Sequence, residues 1–405
     1  MEPCHDPTRQ ADYLWQCLSL GKRCLGLFLG AGCPQSIRVS DTGADQPLIP
    51  DLTGLTEVVC TQMAGDDSCQ SAIEGILAHL EAETGSQPNV EDILNHVRSL
   101  RAVVGKGDVW GLNGVALDTL DQAICERIVE AMEVPLPHRM TPYHKVAAWL
   151  GAADRAFPVE IFTTNYDLLL EQALEESRVP FFDGFVGSRR AFFDPHAIDE
   201  DKLPARWARV WKLHGSINWF QDPDGTVYRG ASTGEGQRRV IYPSHLKYAQ
   251  SRRMPYLAML DRLRNFLRQA SAVLVVCGYS FRDDHLNEVI LQGLRGNPTA
   301  MGFGLLFGEL GDHPKAVSLA GDRPNLSLLA DDGAVVGTRA GEWLRRGQGE
   351  DTPQSPGVEW SPAQEGDGDP VLRARLGLGD FELLGSFVEA LVGDGQTVET
   401  TANEA

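Results

Sequence analysis

Four short apolar runs in this chain end abruptly, either in glycine or in a cluster of hydrogen-bonding side chains. That repeated ending limits the possible folds more than any other feature. Cys24-Leu25-Gly26-Leu27-Phe28-Leu29 runs into Gly30-Ala31-Gly32, and Val159-Glu160-Ile161-Phe162-Thr163 runs into Thr164-Asn165-Tyr166-Asp167. Arg209-Val210-Trp211-Lys212-Leu213 leads to His214-Gly215-Ser216, and Ala272-Val273-Leu274-Val275-Val276-Cys277 leads to Gly278-Tyr279-Ser280. Short, largely apolar runs bounded by turn residues read as strands buried on both faces, as in a parallel sheet. A fifth run is Gly304-Leu305-Leu306-Phe307. Helical patterns at 167–177, 284–295 and 313–320 follow three of these strands. Strand followed by helix, repeated, marks a parallel sheet with right-handed crossovers. The expected class is α/β, a Rossmann-like parallel sheet.

Other segments attach to this frame. Residues 9–22 carry a helical pattern that stops at Gly21. Residues 53–150 hold few strand candidates, and 70–82, 90–103 and 115–133 space their apolar residues by three and four, so a helical insertion is expected there. The stretch 216–242, with the turn Asp222-Pro223-Asp224-Gly225, reads as an inserted hairpin. From Gly347 to Pro370 there are five Gly, four Pro and six acidic residues but no Lys or Arg, the composition of a flexible linker. Beyond it, Phe381, Leu384, Phe387, Val388 and Leu391 line one face of a final helix, which either docks on the body or takes a partner. The expected organisation is thus one domain over 1–346, a linker over 347–370, and a C-terminal helix and tail over 371–405.

Composition removes several function classes. The net charge of −20 repels phosphate backbones, so no direct nucleic-acid surface is expected. Arg252, Arg253, Arg262, Arg264 and Arg268 form a local basic group, read either as a solvated helix face or as a patch for a phosphate or partner. No run approaches the roughly 18–20 apolar residues of a membrane span, and the polar start Met1-Glu2-Pro3-Cys4 lacks the pattern of a signal peptide. A cytoplasmic location is expected. The eight cysteines form no Cys-x-x-Cys pair, so no zinc module and no metal site are expected.

Each strand ending has two readings. Gly30-Ala31-Gly32-Cys33 is either a tight structural turn or a backbone cradle for a pyrophosphate. Asp167 or Thr164 caps the following helix under one reading; under the other, Asn165 and its neighbours form a ligand site at the C-terminal sheet edge. His214 is either structural or a general base. Ser280 lacks the closing glycine of a nucleophile elbow, so Gly278 and Ser280 read as binding groups, with Asp283 or Asp284 as a helix cap.

Taken in order from Leu25 to about Leu306, these segments resemble the sirtuin superfamily, most closely its bacterial sirtuin-like branch of anti-phage defence systems. The residues that carry the likeness are Gly30-Ala31-Gly32, Thr164-Asn165-Tyr166-Asp167, Lys212-Leu213-His214-Gly215-Ser216 and Gly278-Tyr279-Ser280-Phe281-Arg282-Asp283-Asp284. Leu48-Ile49-Pro50-Asp51 is similar to the family's loop over the cofactor. Gly32-Cys33-Pro34 departs from the usual continuation of the glycine turn. The resemblance implies that residues 1–346 are a sirtuin-like NAD-binding catalytic domain. It implies Asn165 and His214 as the catalytic pair, with Gly30, Ala31, Gly32, Cys33, Asp51, Thr164, Asp167, Gly278 and Ser280 around NAD.

Protein-deacylating sirtuins carry a four-cysteine zinc module that this sequence lacks, so water is the expected ribose acceptor. The expected enzyme is an NAD glycohydrolase, with NAD as substrate, releasing nicotinamide and ADP-ribose. The resemblance further implies NAD depletion in anti-phage abortive infection, homo-oligomerisation, and a HerA-type hexameric ATPase as partner. A non-catalytic NAD or ADP-ribose-binding regulatory module and a zinc-less NAD-dependent protein deacylase are the alternatives.

Overall fold

The computed structural model describes residues 4–19, 21–40, 45–65, 70–152, 155–230, 238–241, 254–346, 355–363 and 371–402. Its centre is a parallel sheet of β1 (Leu25–Leu29), β2 (Glu160–Thr163), β3 (Phe181–Phe182), β4 (Ala208–Lys212), β5 (Val273–Cys277), β6 (Met301–Leu305) and β7 (Leu326–Leu329). Their spatial order is β3-β4-β2-β1-β5-β6-β7. Every residue of β1, β4 and β5 is buried, which is why these strands read as short, largely apolar runs. Side chains alternate between two cores. Leu25, Leu27, Leu29, Val273, Val275 and Cys277 face one, and Phe28, Phe162, Leu274 and Val276 face the other. Gly26 leaves room on the second face for the Phe266 ring, which a Cβ there would approach to 2.7 Å.

From β1 the chain moves to β2 on one side, whereas from β5 it moves to β6 on the other. The order therefore reverses between β1 and β5, where open α/β sheets place their ligands at the carboxyl edge. Register makes that edge a straight row. Lys212 pairs with Thr163, Thr163 with Leu29, Leu29 with Cys277, and Cys277 with Leu305. Residues just beyond the row therefore emerge together, however far apart they lie in the chain.

Between β1 and β2 lie the helices Leu52–Ala64, Gln70–Thr84, Val90–Val103, Gly114–Met132 and Pro142–Ala152, filling the span expected as a helical insertion. Asn89 begins one with a reciprocal capping box to Asp92, and Asn113 begins another by accepting from the Ala116 N–H at 2.9 Å. The final helix, Phe381–Ala402, docks on the body against Pro142–Ala152. Gly385 allows the approach, since a Cβ there would stand 3.0 Å from the Pro142 Cα.

Several sequence readings change. The strand expected at 304–307 occupies Met301–Leu305, because Gly302 and Gly304 are strand residues whose missing side chains admit Leu326 and Leu328. The sheet continues antiparallel beyond β7 through β8 (Gly333–Val336) and β9 (Arg339–Arg346). The stretch expected as linker contains β10 (Val358–Ala363), which pairs antiparallel with β11 (Val371–Leu376), itself paired with β9. A count of Gly and Pro hides the extended Val358-Glu359-Trp360 core of that strand. The flanks 347–354 and 364–370 lie outside the described residues. Arg252 and Arg253 also lie outside them. Arg262 does balance acidic neighbours, as a helix-face reading expects, but from a largely buried position: it bridges Glu160 at 2.8 Å and Asp201 at 2.9 Å.

Candidate functional site at the carboxyl edge of the sheet

Asn165 and His214 come to this edge two residues past the Thr163–Lys212 pair, from neighbouring strands. Both are nearly enclosed, with 7% and 5% exposure. The Asn165 backbone N–H donates to Thr163 Oγ1 at 3.0 Å, and its side-chain Nδ2 donates to the Gly30 carbonyl at 3.1 Å. A carbonyl accepts only from a donor, so this contact fixes the amide with Oδ1 on the other side, where it has no partner within the protein.

The His214 segment holds the Asn165 turn in place. Leu213 N–H donates to Thr163 O at 2.8 Å and Ile217 N–H to Tyr166 O at 3.0 Å, while Ser216 Oγ donates to the same Tyr166 carbonyl at 3.3 Å. The buried Lys212 ammonium donates to the Asp167 carbonyl and, at 2.9 Å, to Glu171 Oε1. Asp167 Oδ1 accepts the Leu169 N–H at 3.0 Å, an Asx turn leading into the next helix, while its buried Oδ2 has no partner. Burial pushes the Asp167 carboxyl up from 3.8 to about 6, with the Lys212 charge and the Leu169 N–H working in the opposite direction.

His214 Nε2 lies 3.3 Å from Asp283 Oδ2, within ion-pair reach of a protonated ring but outside hydrogen-bond alignment. Asp283 Oδ1 meanwhile caps the Asp284–Gly296 helix, accepting from His285 N–H at 2.9 Å and Leu286 N–H at 3.1 Å. Burial raises the Asp283 carboxyl, but the His214 ring and the two helix N–H groups outweigh it and hold the group below its ordinary value. An anionic carboxylate beside the imidazole stabilises the imidazolium that a general base becomes.

The two glycine turns interlock. Gly30 N–H donates to Cys277 O at 2.9 Å, Gly32 N–H to Gly278 O at 2.8 Å, and Cys33 N–H to Gly30 O at 3.0 Å. A Cβ on Gly30 would fall 2.3 Å from Gly278 O, and Gly278 has φ +67° with a would-be Cβ 2.6 Å from Cys33 N. The glycines are thus required first by one turn packing on the other. The N–H groups of Gly32 and Cys33 serve these contacts, and the Cys33 thiol lies in the core on Cys277 O, with burial pushing it up. Ala31 and Ser280 are the exposed residues of the two turns, and Thr164 is half-buried at the edge. Asp51 caps the Leu52–Ala64 helix by accepting from the Gly54 N–H at 2.7 Å, which engages its carboxylate there.

The structure adds three residues to the sequence-derived set. Asp283 shows in the sequence only as a helix cap, and Lys212 only as part of its motif. Tyr143, from the Pro142–Ala152 helix, carries no sequence signal at all. It joins Asn165, Asp167 and Lys212 around a cavity of about 10 Å³. Two larger cavities lie elsewhere. One of about 930 Å³ opens near Tyr13, Met301 and Ser327, at the amino-terminal starts of β6 and β7. Another of about 600 Å³ lies between Glu133, Glu171 and Arg229. Neither contains the imidazole and amide. Among the described residues, no group of three or more His, Cys, Asp or Glu is arranged to hold a metal ion.

Fold and edge together define a Rossmann-like α/β domain with an amide, an imidazole and two carboxylates at its topological switch point. Residues 159–313 match the family model described as the SIR2-like domain, which supports the sirtuin-like superfamily for this part of the chain. Such a domain points to an NAD-dependent enzyme family. The matched segment contains Asn165, Asp167, His214, Gly278, Ser280 and Asp283, while Gly30–Cys33, Asp51 and Tyr143 precede it. Among curated proteins, nothing matches the chain. Among the described residues, no helix is long and apolar enough to cross a membrane.

Proposed function

We propose that the chain is an NAD glycohydrolase, cleaving NAD to nicotinamide and ADP-ribose at the Asn165–His214 edge. The observation that carries this reading is the His214–Asp283 pair beside the fixed Asn165 amide, with the free amide oxygen on the side away from Gly30. A site that only held a nucleotide would have no use for an imidazole backed by an anionic carboxylate.

The reaction resembles glycoside hydrolysis. The bond between ribose C1′ and the nicotinamide nitrogen breaks, and its electron pair neutralises the pyridinium. Positive charge develops on the ribose. Water adds to C1′, and its proton passes to His214 and then to solvent. Asn165 Oδ1 is suited to accept from the ribose or the water, and Asp283 stabilises the protonated ring. A positioned base of this kind contributes about 10²- to 10⁴-fold in rate. Asp167 is the group suited to the nicotinamide amide.

The resemblance to defence-associated sirtuin-like proteins extends the proposal to NAD depletion during phage infection. A homo-oligomer or a HerA-type ATPase would then restrain or trigger the enzyme. Nicotinamide release is measured by chromatography, with the chain alone and with a co-encoded partner, and again for Asn165→Ala and His214→Ala. The proposal expects release that both substitutions abolish. Turnover surviving both would overturn the mechanism, and tight NAD binding without turnover in every preparation would favour a regulatory binding module.

A further inference from the structure

The Pro142–Ala152 helix brings a polar group to the strand-end site from outside the matched segment. Tyr143 is 1% exposed, its ring packs edge-on against Phe381 of the final helix at 4.9 Å, and its buried hydroxyl has no hydrogen-bond partner within the protein. Burial raises the phenol well above its ordinary value, and the nearby Asp167 and Cys33 reinforce this, so it is a neutral O–H donor. The Asn165 side chain lies close enough to act on the phenol in the opposite sense, yet outside hydrogen-bond geometry.

Tyr143, Asn165 and Asp167 line one cavity of about 10 Å³, and each has one buried oxygen without a partner: Tyr143 Oη, Asn165 Oδ1 and Asp167 Oδ2. A water needs about that much room and two to four polar partners. The valences also match. Asn165 Oδ1 and ionised Asp167 Oδ2 accept, the Tyr143 hydroxyl donates, and a water offers two hydrogens and a lone pair to those three groups. The Lys212 ammonium already supplies positive charge beside Asp167, so a neutral occupant fits better than a cation.

We propose that Tyr143, Asn165 and Asp167 bind one buried water, and that Tyr143 is a positioning residue of the site acting through it. The water ties the amide to the carboxylate and keeps both in the orientation that the edge presents. Only the kinetic consequence rests on the NAD-hydrolase reading. The charged and titratable groups facing Asp167 are Lys212 on β4, Glu171 on the following helix, Tyr143, and Cys33 of the first glycine turn.

The test uses the full chain and Tyr143→Phe, which keeps the ring and its contact with Phe381. A crystal structure at about 1.6 Å should show one peak within hydrogen-bond distance of all three oxygens in the wild type. Carbon-13 NMR titration should place the Asp167 carboxyl higher in Tyr143→Phe, because the water that supports its charged form has lost its donor. Nicotinamide release should fall about three- to tenfold in kcat, with KM for NAD changed less than about twofold and the acidic limb of the pH profile moved upward. A wild-type map without that peak, or an unchanged Asp167 titration in Tyr143→Phe, would overturn the proposal. Map and titration need no NAD. If both come out as expected in a chain that releases no nicotinamide, the hydrolase reading fails and the water site stands.

Discussion

Asp167 is a carboxylate that the fold keeps at a cost, and the cost can be measured. A shift from 3.8 to about 6 at a fully buried position corresponds to about 3 kcal/mol against the ionised form. The folded value is raised, so the native state favours the protonated carboxyl. The stability linked to this group is fully present below pH 3.8 and is lost as pH rises through 6. Roughly half of the 3 kcal/mol, about 1.5 kcal/mol, disappears between pH 5 and pH 8. Asp167→Asn removes the titration while its amide oxygen can still accept the Leu169 N–H. The attraction to Lys212 is already contained in the Asp167 value of about 6, so its loss is part of the same slope. Urea unfolding of both proteins at pH 5, 6, 7 and 8, read by tryptophan fluorescence, isolates the slope. The stability of the variant relative to wild type should grow by about 1.5 kcal/mol from pH 5 to pH 8. Parallel curves, or a wild type that gains on the variant as pH rises, would refute the assignment of a strained, buried carboxylate. A stabilised variant that also loses nicotinamide release would show why the acid is retained.

Asp283 serves a helix cap and an imidazole, and two substitutions separate these duties. Asp283→Asn retains a good cap and should leave the melting temperature nearly unchanged while nicotinamide release falls; Asp283→Ala should also lose about 1 kcal/mol of stability, read by thermal unfolding. Gly30→Ala drives a Cβ onto the Gly278 carbonyl and should cost about 1–3 kcal/mol or more, lowering the chemical-denaturation midpoint. Lys212→Met leaves Glu171 without its ammonium partner and should destabilise the fold by about 3–5 kcal/mol, again read by chemical denaturation. A Lys212→Met protein as stable as wild type would mean that the lysine does not brace the Asn165 turn.

What the sequence makes legible follows burial. The central strands stand out because both of their faces are covered, so burial leaves a short apolar run for each. The insertion helices stand out because each covers only one stripe. Strands such as β6, with glycines at 302 and 304, and β10, inside an acidic Gly/Pro-rich stretch, are set by what packs or pairs beside them and leave little local pattern. The catalytic candidates are readable as strand endings, yet their meaning is not. Asn165 reads as a possible surplus to a cap until Gly30 O is seen holding its amide.

The same limit explains why the roles of the site's supporting groups are not written in the motifs. Lys212-Leu213-His214-Gly215-Ser216 looks like one signature, but its members work in opposite directions. Lys212 and Ser216 reach back to the Asn165 turn, while His214 meets Asp283 from a strand three places away, across β1 and β2. Such a division of labour is fixed by register between strands. Sliding β4 by one residue against β2 would reverse which side chains face the turn, with no change in the motif itself. Tyr143 is the extreme case, since it reaches the edge from the helical insertion and is steadied by the C-terminal helix through Phe381. A polar group recruited in this way has no neighbouring residues in sequence that share its task. It becomes visible only when three residues with unpartnered buried oxygens are found lining one cavity.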